Sequence, residues 1–279
     1  MNDYKKEMKH CIRLAKKAAG KTSPNPLVGC VVLNPADEII SAGYHKKYGE
    51  NHAEREALNK LEDAKGCTLV VNLEPCCHQG KTPPCTDIII EKGVSHVVYG
   101  MKDPNPLVSG KGIEKLKKAG IKVSGPVLED ECSQLNEIFI KNKTLGKTFV
   151  AVKTATTIDG KISTYNGDSK WITSDKARNY ARKLRQHYDA ILTSSSTVVA
   201  DNPTMKHRVK VILDRELKTN IDSNIYKHGK IYVFHDKKQK PKNISERITY
   251  IPASLKGDKL DIEFILNKLF ELGIMSVFV

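Results

Sequence analysis

Three side chains far apart in the chain share one chemistry, and a fold that uses them must bring them together. They are the imidazole of His52, in His52-Ala53-Glu54, and the thiols of Cys76 and Cys85, at the two ends of the stretch CCHQGKTPPC. An imidazole with two thiolates is a ligand set for a catalytic zinc, which takes three protein ligands and keeps a fourth position open. The two thiolate charges cancel those of the metal. The set favours zinc over iron, and its soft ligands would also take copper. Glu54 follows the histidine by two residues, close enough to handle protons and badly placed to ligate. Cys77 stands beside this set, and as a fourth ligand it would make the metal purely structural.

Zinc deaminases carry an H-x-E element followed by P-C-x-x-C, with the glutamate as general acid and base. The present spacing departs from that form. The third residue after Cys76 is Gln79, and the second thiol arrives only at Cys85. The intervening HQGKTPP is polar, basic and stiffened by proline. Lying beside the metal, it is suited to touch a substrate, and its His78 and Lys81 suit an anionic group such as phosphate.

The surrounding pattern reads as alternating strands and helices, an α/β layered arrangement. Apolar period places a helix over residues 3–19 with Gly20 as its C-cap. Asn25, held between prolines, reads first as a turn former. Strands follow at 27–33 and 39–45, the second ending on His45. A helix over 52–64 carries His52 and Glu54 in its first turn. A buried strand over 68–74 delivers Cys76, and Cys85 opens another helix. Helix starts present unpaired N–H groups, which favour thiolate. A strand over 95–100, a helix over 113–119, a short strand at 122–126 and a helix over 127–145 complete this half. A polar hinge, NKTLGK, separates it from a second α/β half. There a helix capped by Ser174, a strand-then-loop AILTSSSTVVADNP, strands at 209–215 and 230–236 and a helix near 260–274 are expected. A Rossmann-type G-x-G-x-x-G is absent: Lys115 stands where its third glycine would fall after Gly110 and Gly112.

Seven cysteines, three of them within ten positions, read as metal chemistry in a reducing cytoplasm rather than a disulfide framework. No apolar run reaches the length of a membrane span. The N-terminal stretch is amphipathic and basic without a continuous apolar core, so it is not a secretory signal. A formal net charge of +14 raises nucleic-acid binding. The lysines are scattered, however, without long runs or interleaved aromatics, which fits a soluble enzyme with an anionic small substrate better.

The motifs PNPLVGCVV, GYHKKYGENHAE, LEPCCHQGKTPPCTD and MKDPNP make residues 1–145 resemble the pyrimidine deaminase domain of bacterial bifunctional riboflavin-biosynthesis enzymes. TTIDGKI, SKWITSDKAR and AILTSSSTVVADNP make residues 146–279 resemble the reductase domain of the same family. The resemblance implies a cytidine-deaminase-like three-layer α/β domain followed by a dihydrofolate-reductase-like α/β domain. It implies zinc-dependent removal of the 2-amino group from 2,5-diamino-6-(5-phosphoribosylamino)pyrimidin-4-one, then NADPH-dependent reduction of ribosyl to ribityl. Neither nucleic acid nor a membrane is an expected partner, and a homo-oligomer is compatible with the family.

By the same resemblance, His52, Cys76 and Cys85 are the zinc ligands and Glu54 the proton shuttle. Asn25, His45, His78 and Lys81 contact the pyrimidine, ribose or phosphate. In the reductase half Ala155, Trp171, Thr197 and Asp201 touch NADP, and Ser169, Arg185, Met205 and Arg208 touch the substrate. Read from the residues alone, Arg185 would be a solvated helix-face charge and Arg208 a loop charge. In the family a strand like Ser276–Val279 is followed by an acidic residue, a glycine-rich loop and further strands. The expectation is therefore a shortened reductase sheet with an open edge. Two alternatives stand beside the main reading. One is a nucleoside or nucleic-acid deaminase with an unrelated binding module. The other is a working deaminase joined to an inactive reductase half.

Overall fold

A computed structural model describes residues 3–105, 108–241 and 245–279. The chain forms two compact units, residues 1–145 and 146–279.

In the first unit the order is α1 (Lys5–Lys16), β1 (Gly29–Leu33), β2 (Ile39–Tyr44), α2 (Ala53–Leu58), β3 (Thr68–Leu73), α3 (Cys85–Glu91), β4 (His96–Met101), α4 (Lys111–Lys118), β5 (Lys122–Ser124), α5 (Glu129–Leu135) and α6 (Glu137–Leu145). The sheet order is β2-β1-β3-β4-β5. β1 runs antiparallel to both its neighbours, whereas β3, β4 and β5 are mutually parallel. Every residue of β1 and β4 is buried. Their near-continuous apolar runs are those of strands covered on both faces.

Glycines show which helix covers which face. A Cβ at Gly29 would lie 2.1 Å from the Cys11 carbonyl oxygen, so α1 rests directly on β1. Gly43 pairs with Cys30, on the opposite face. A Cβ there would lie 2.4 Å from the Ala53 carbonyl oxygen, in α2. Gly100 meets Cys132 of α5 in the same way. The result is a three-layer unit whose core includes Met8, Cys11, Val31, Leu69, Val97 and Leu116. Because backbone blocks the space at Gly29, Gly29→Ala should destabilise this unit by about 3 kcal/mol or more. Denaturant unfolding of the full chain reads this as an earlier first transition.

Three sequence expectations change here. The helix expected over 52–64 ends at Leu58, and its N-cap is His52. The helix expected over 127–145 is two helices, broken at Asn136. That buried side chain turns inward, accepting from Leu27 N–H at 2.8 Å and donating to the Leu27 carbonyl at 3.1 Å. The first helix ends at Lys16, with Gly20 closing the following turns at φ 77°.

The second unit contains β6 (Phe149–Ala151), α7 (Asp175–Arg185), β7 (Ala190–Ser194), α8 (Ser195–Asp201), β8 (Val209–Leu213), β9 (Lys230–Asp236), β10 (Ile248–Ala253), the hairpin strands β11 (Leu255–Lys256) and β12 (Lys259–Leu260), α9 (Ile262–Glu271) and β13 (Ser276–Phe278). Its main sheet has the order β10-β9-β8-β7-β13-β6, and every pairing is parallel. The last strand is therefore interior, held by β7 on one side and β6 on the other. Among the described residues the edges of this sheet are β6 and β10. The stretch after β7, expected as a loop, is the helix α8. Ser194 caps it by accepting from Thr197 N–H, and Val198 buries its inner face. Ser174 caps α7 as expected, accepting from Ala177 N–H. No helix among the described residues is long and apolar enough to cross a membrane.

Candidate metal centre and its cavity

The carboxyl end of β3 and the starts of α2 and α3 meet at one place. β3 hands the chain to Glu74, Pro75 and Cys76; α2 begins immediately after His52; α3 begins at Cys85. His52 Nδ1 lies 3.5 Å from Cys76 Sγ and 3.3 Å from Cys85 Sγ. The three donors lie within 4.8 Å of one another. Tetrahedral zinc with ordinary bond lengths requires an N···S separation of about 3.6 Å, so the trio fits that ion without rearrangement. Cys77 stands outside the group of converging donors.

The two thiols differ in their electrostatics. The Cys76 thiol is pulled down to about 4, chiefly by hydrogen bonding from Cys85 and then by His52, against the opposing effect of burial. The Cys85 backbone N–H also points at Cys76 Sγ, at 3.4 Å. Cys85 itself is pushed up, because it shares its proton with Cys76 and is fully buried. Glu54, only 3% exposed, lies beside the trio. Burial raises its carboxyl, the Cys76 thiolate raises it further, and His52 opposes both. Its Oε2 is buried with no hydrogen-bond partner in the protein. A buried carboxylate oxygen left without a partner is costly, and it marks where a water or a reacting group belongs.

A cavity of about 260 Å³ opens on this centre. Asn25, His45, His78 and Lys81 all line it, together with His52, Glu54 and Cys76. His45 is almost fully buried and packs edge-to-face on His52 at 5.3 Å. Its Nδ1 lies 3.0 Å from the Asn51 carbonyl, an acceptor only, so Nδ1 carries the proton. Burial holds this imidazole below its ordinary pKa, so it is neutral and Nε2 accepts. Asn25 then donates its amide N–H to that nitrogen, at 3.2 Å. Asn25 N–H also closes a turn on the Thr22 carbonyl at 2.8 Å, as the turn reading expected. Lys81 stands over the Tyr48 ring at 4.1 Å.

The same cavity is lined by Glu74, Asp103, Asn105 and Lys143, none of which the sequence singled out. Asp103 and Asn105 belong to the MKDPNP motif, whose last residue, Pro106, is outside the described residues. Burial pushes the Asp103 carboxyl up, and the Asn105 N–H donating to it at 2.8 Å works against that. Lys143 falls in the stretch that read as a hinge, but α6 continues through it to Leu145.

The candidates in the second unit have separate surroundings. Trp171 is 67% exposed and carries the Arg178 guanidinium at 4.1 Å over its ring. Thr197 lies in the first turn of α8, its hydroxyl 3.4 Å from that of Ser194. Ser169 and Asp201 are exposed and Ala155 is half-buried. Met205, at φ 39°, packs against the cluster of Val198, Ile212 and Ile225. Arg208 pairs with Asp189 at 3.0 Å. Arg185 is not the solvated helix charge that its own sequence context suggested. It is half-buried, burial lowers its pKa, its Nε lacks a partner, and its guanidinium lies 6.0 Å from the Phe278 ring.

Comparison with known proteins places both halves. Residues 1–101 match the cytidine and deoxycytidylate deaminase zinc-binding region, and residues 148–279 match the RibD C-terminal domain. The riboflavin biosynthesis protein RibD of Aquifex aeolicus is 42% identical over 99% of this chain and 80% of its own length. That of Actinobacillus pleuropneumoniae is 40% identical over 97% of this chain and 75% of its own. Among solved structures, a Thermotoga maritima diaminohydroxyphosphoribosylaminopyrimidine deaminase/5-amino-6-(5-phosphoribosylamino)uracil reductase superposes with a TM-score of 0.88 at 42% identity, over 99% of this chain and 80% of that one. Acinetobacter baumannii RibD superposes with a TM-score of 0.87 at 32% identity, over 99% and 80% respectively.

Proposed function

The chain belongs to the RibD family of riboflavin-biosynthesis deaminase/reductases, and we propose that its first unit deaminates the diaminohydroxyphosphoribosylaminopyrimidine while its second reduces the aminouracil product. The observation that carries this reading is the His52–Cys76–Cys85 trio with the unpartnered Glu54 Oε2 beside it, where His52, Cys76 and Glu54 line one cavity.

Zinc, when bound by His52 Nδ1 and the two thiolates, supplies a Lewis acid that makes water a competent nucleophile near neutral pH. The protein's own groups do the rest. Glu54 Oε2 takes the proton that the attacking water gives up. It gives that proton to the ring nitrogen, then takes the second from the hydroxyl now on the ring carbon and gives it to the departing amine. The new bond is from water oxygen to the ring carbon; the bond lost is from that carbon to nitrogen, and ammonia leaves. The raised pKa that burial gives Glu54 suits a group that must both take and give a proton. The neutral His45 orients Asn25 so that its carbonyl accepts from a ring N–H or amine. Lys81 and His78, at the loop between the thiols, meet the phosphate. Lys143 adds a second ammonium to the same cavity.

In the second unit NADPH, when bound, would supply a hydride to the anomeric carbon, whose bond to the ring oxygen is lost while that oxygen takes a proton from solvent to give the open ribityl chain. Trp171, Thr197, Asp201 and Ala155 serve the cofactor, while Arg185, Arg208, Ser169 and Met205 serve the substrate. The enzyme works in the cytoplasm. A coupled assay on the full chain tests both halves: zinc-loaded protein, the diaminopyrimidine substrate and NADPH, with ammonia and nicotinamide absorbance followed together. Ammonia release with NADPH oxidation is expected. Ammonia alone would overturn the reductase assignment, and no ammonia would overturn the deaminase assignment.

A further inference from the structure

Glu74 is a carboxylate only 3% exposed, one proline away from the ligand Cys76, and the metal chemistry does not use it. It sits where the parallel pair β3–β4 ends, its own N–H bonded to the Met101 carbonyl at 2.9 Å. Its Oε2 accepts from Asp103 N–H at 3.2 Å and Gly110 N–H at 3.0 Å. Its Oε1 accepts from Gly112 N–H at 3.0 Å and Ile113 N–H at 3.2 Å. Four backbone donors thus converge on one buried carboxylate. They come from two stretches, one entering the cavity wall and one starting α4.

The docking is close on its other side as well. A Cβ at Gly112 would lie 2.1 Å from the Pro75 carbonyl oxygen, so this stretch can lie against Glu74 and Pro75 only without a side chain. From Asp103 the chain of bonds continues, since the Asp103 carboxylate accepts from Asn105 N–H at 2.8 Å. Asp103 and Asn105 both line the cavity, as does Glu74 itself. One carboxylate therefore fixes the ligand-bearing end of β3 and the Asp103–Asn105 wall in a common frame.

We infer that Glu74 is a positioning residue of the deaminase site, holding the Asp103–Asn105 wall at the distance from the metal centre that the pyrimidine substrate requires. This rests on the deaminase reading of the cavity. Glu74 acts on the reaction through substrate placement. Its loss should weaken binding of ground state and transition state alike, raising KM with kcat little changed.

Glu74→Gln keeps the size and replaces one acceptor oxygen by an N–H donor, which faces two backbone N–H groups. Displacing a wall that positions a substrate lowers kcat/KM by about 10- to 100-fold. The experiment is steady-state ammonia release by the zinc-loaded full chain, for wild type, Glu74→Gln, Asn105→Ala and the double variant. Metal content and NADPH oxidation on already deaminated substrate serve as fold checks. The loss in Glu74→Gln should fall mainly on KM. The double variant should be no worse than the worse single one, because both remove the same wall. Losses that multiply, or a loss confined to kcat, would overturn the proposal. Gly112→Ala keeps the Glu74 carboxylate but forces the α4 start off Pro75 and Glu74, disturbing the same four-donor frame from its other side. It must show the same KM-weighted loss and the same non-additivity with Asn105→Ala; a wild-type KM there overturns the proposal even if Glu74→Gln fails to fold. Failure of wild type to release ammonia would instead overturn the deaminase reading.

Discussion

Glu54→Gln should abolish ammonia release while leaving the metal in place. Glutamine keeps the shape and can still accept a hydrogen bond, but it cannot take a proton from water or return one to the ring and the leaving amine. Positioned acid–base catalysis contributes about 10²- to 10⁴-fold, and Glu54 is asked to transfer protons more than once in a turnover. The expected loss in kcat is therefore at the upper end, about 10³-fold or more, equivalent to about 4 kcal/mol of barrier. KM should change little, because the cavity's other groups remain. Packing is not the explanation for such a loss: the substitution is isosteric, and Oε2 has no hydrogen bond within the protein to lose. Ammonia release followed beside zinc content decides the matter. Turnover within about tenfold of wild type would fall below the span of a positioned acid–base group and remove Glu54 from the mechanism.

The same residues show why the centre could be read from sequence and part of its surroundings could not. His52, Cys76 and Cys85 carry a chemistry that few other uses explain, so their spacing alone demands that β3, α2 and α3 meet. Helix and strand periods then supply most of the alternation around them. What the walls do depends on which backbone a side chain meets thirty residues away. Glu74 looks like one more acidic residue at a strand end. Its role comes from four N–H groups brought to it by the fold. Asn136 is invisible in a continuous helical pattern, yet its side chain satisfies the Leu27 backbone and splits the helix. Lys143 read as linker because the polar NKTLGK lacks apolar period, although α6 is already under way. In the second unit, Ser and β-branched residues after β7 read as loop. A serine cap and one buried valine suffice to make them a helix. Asn25 and His45 were expected at the site through resemblance; the fold lines the cavity with both and adds the tautomer of His45.

The second large effect belongs to the thiols, and it separates Cys85 from Cys77. Cys85→Ser should leave the protein without its metal. Two remaining donors, His52 and Cys76, make an incomplete set for zinc, which in catalytic sites is held by three protein ligands. Serine's hydroxyl stays protonated where a thiolate is needed. Zinc content should fall from about one per chain to under about a tenth, and ammonia release should vanish with it. Cys77→Ser should retain the metal and turn over within about threefold of wild type, as expected for a substitution outside the ligand set. The neighbouring thiols thus give opposite results although only Cys85 is fully buried, which a generic sensitivity of the loop would not produce. Chelation of the wild-type chain should mimic Cys85→Ser, and added zinc should restore the chelated wild type but not the variant. NADPH oxidation on deaminated substrate should survive in every case, because the three donors of this centre, His52, Cys76 and Cys85, all belong to the first unit. Metal loss from Cys77→Ser with retention in Cys85→Ser would reverse the ligand assignment, and loss from both would make Cys77 a fourth ligand and close the position that the water needs.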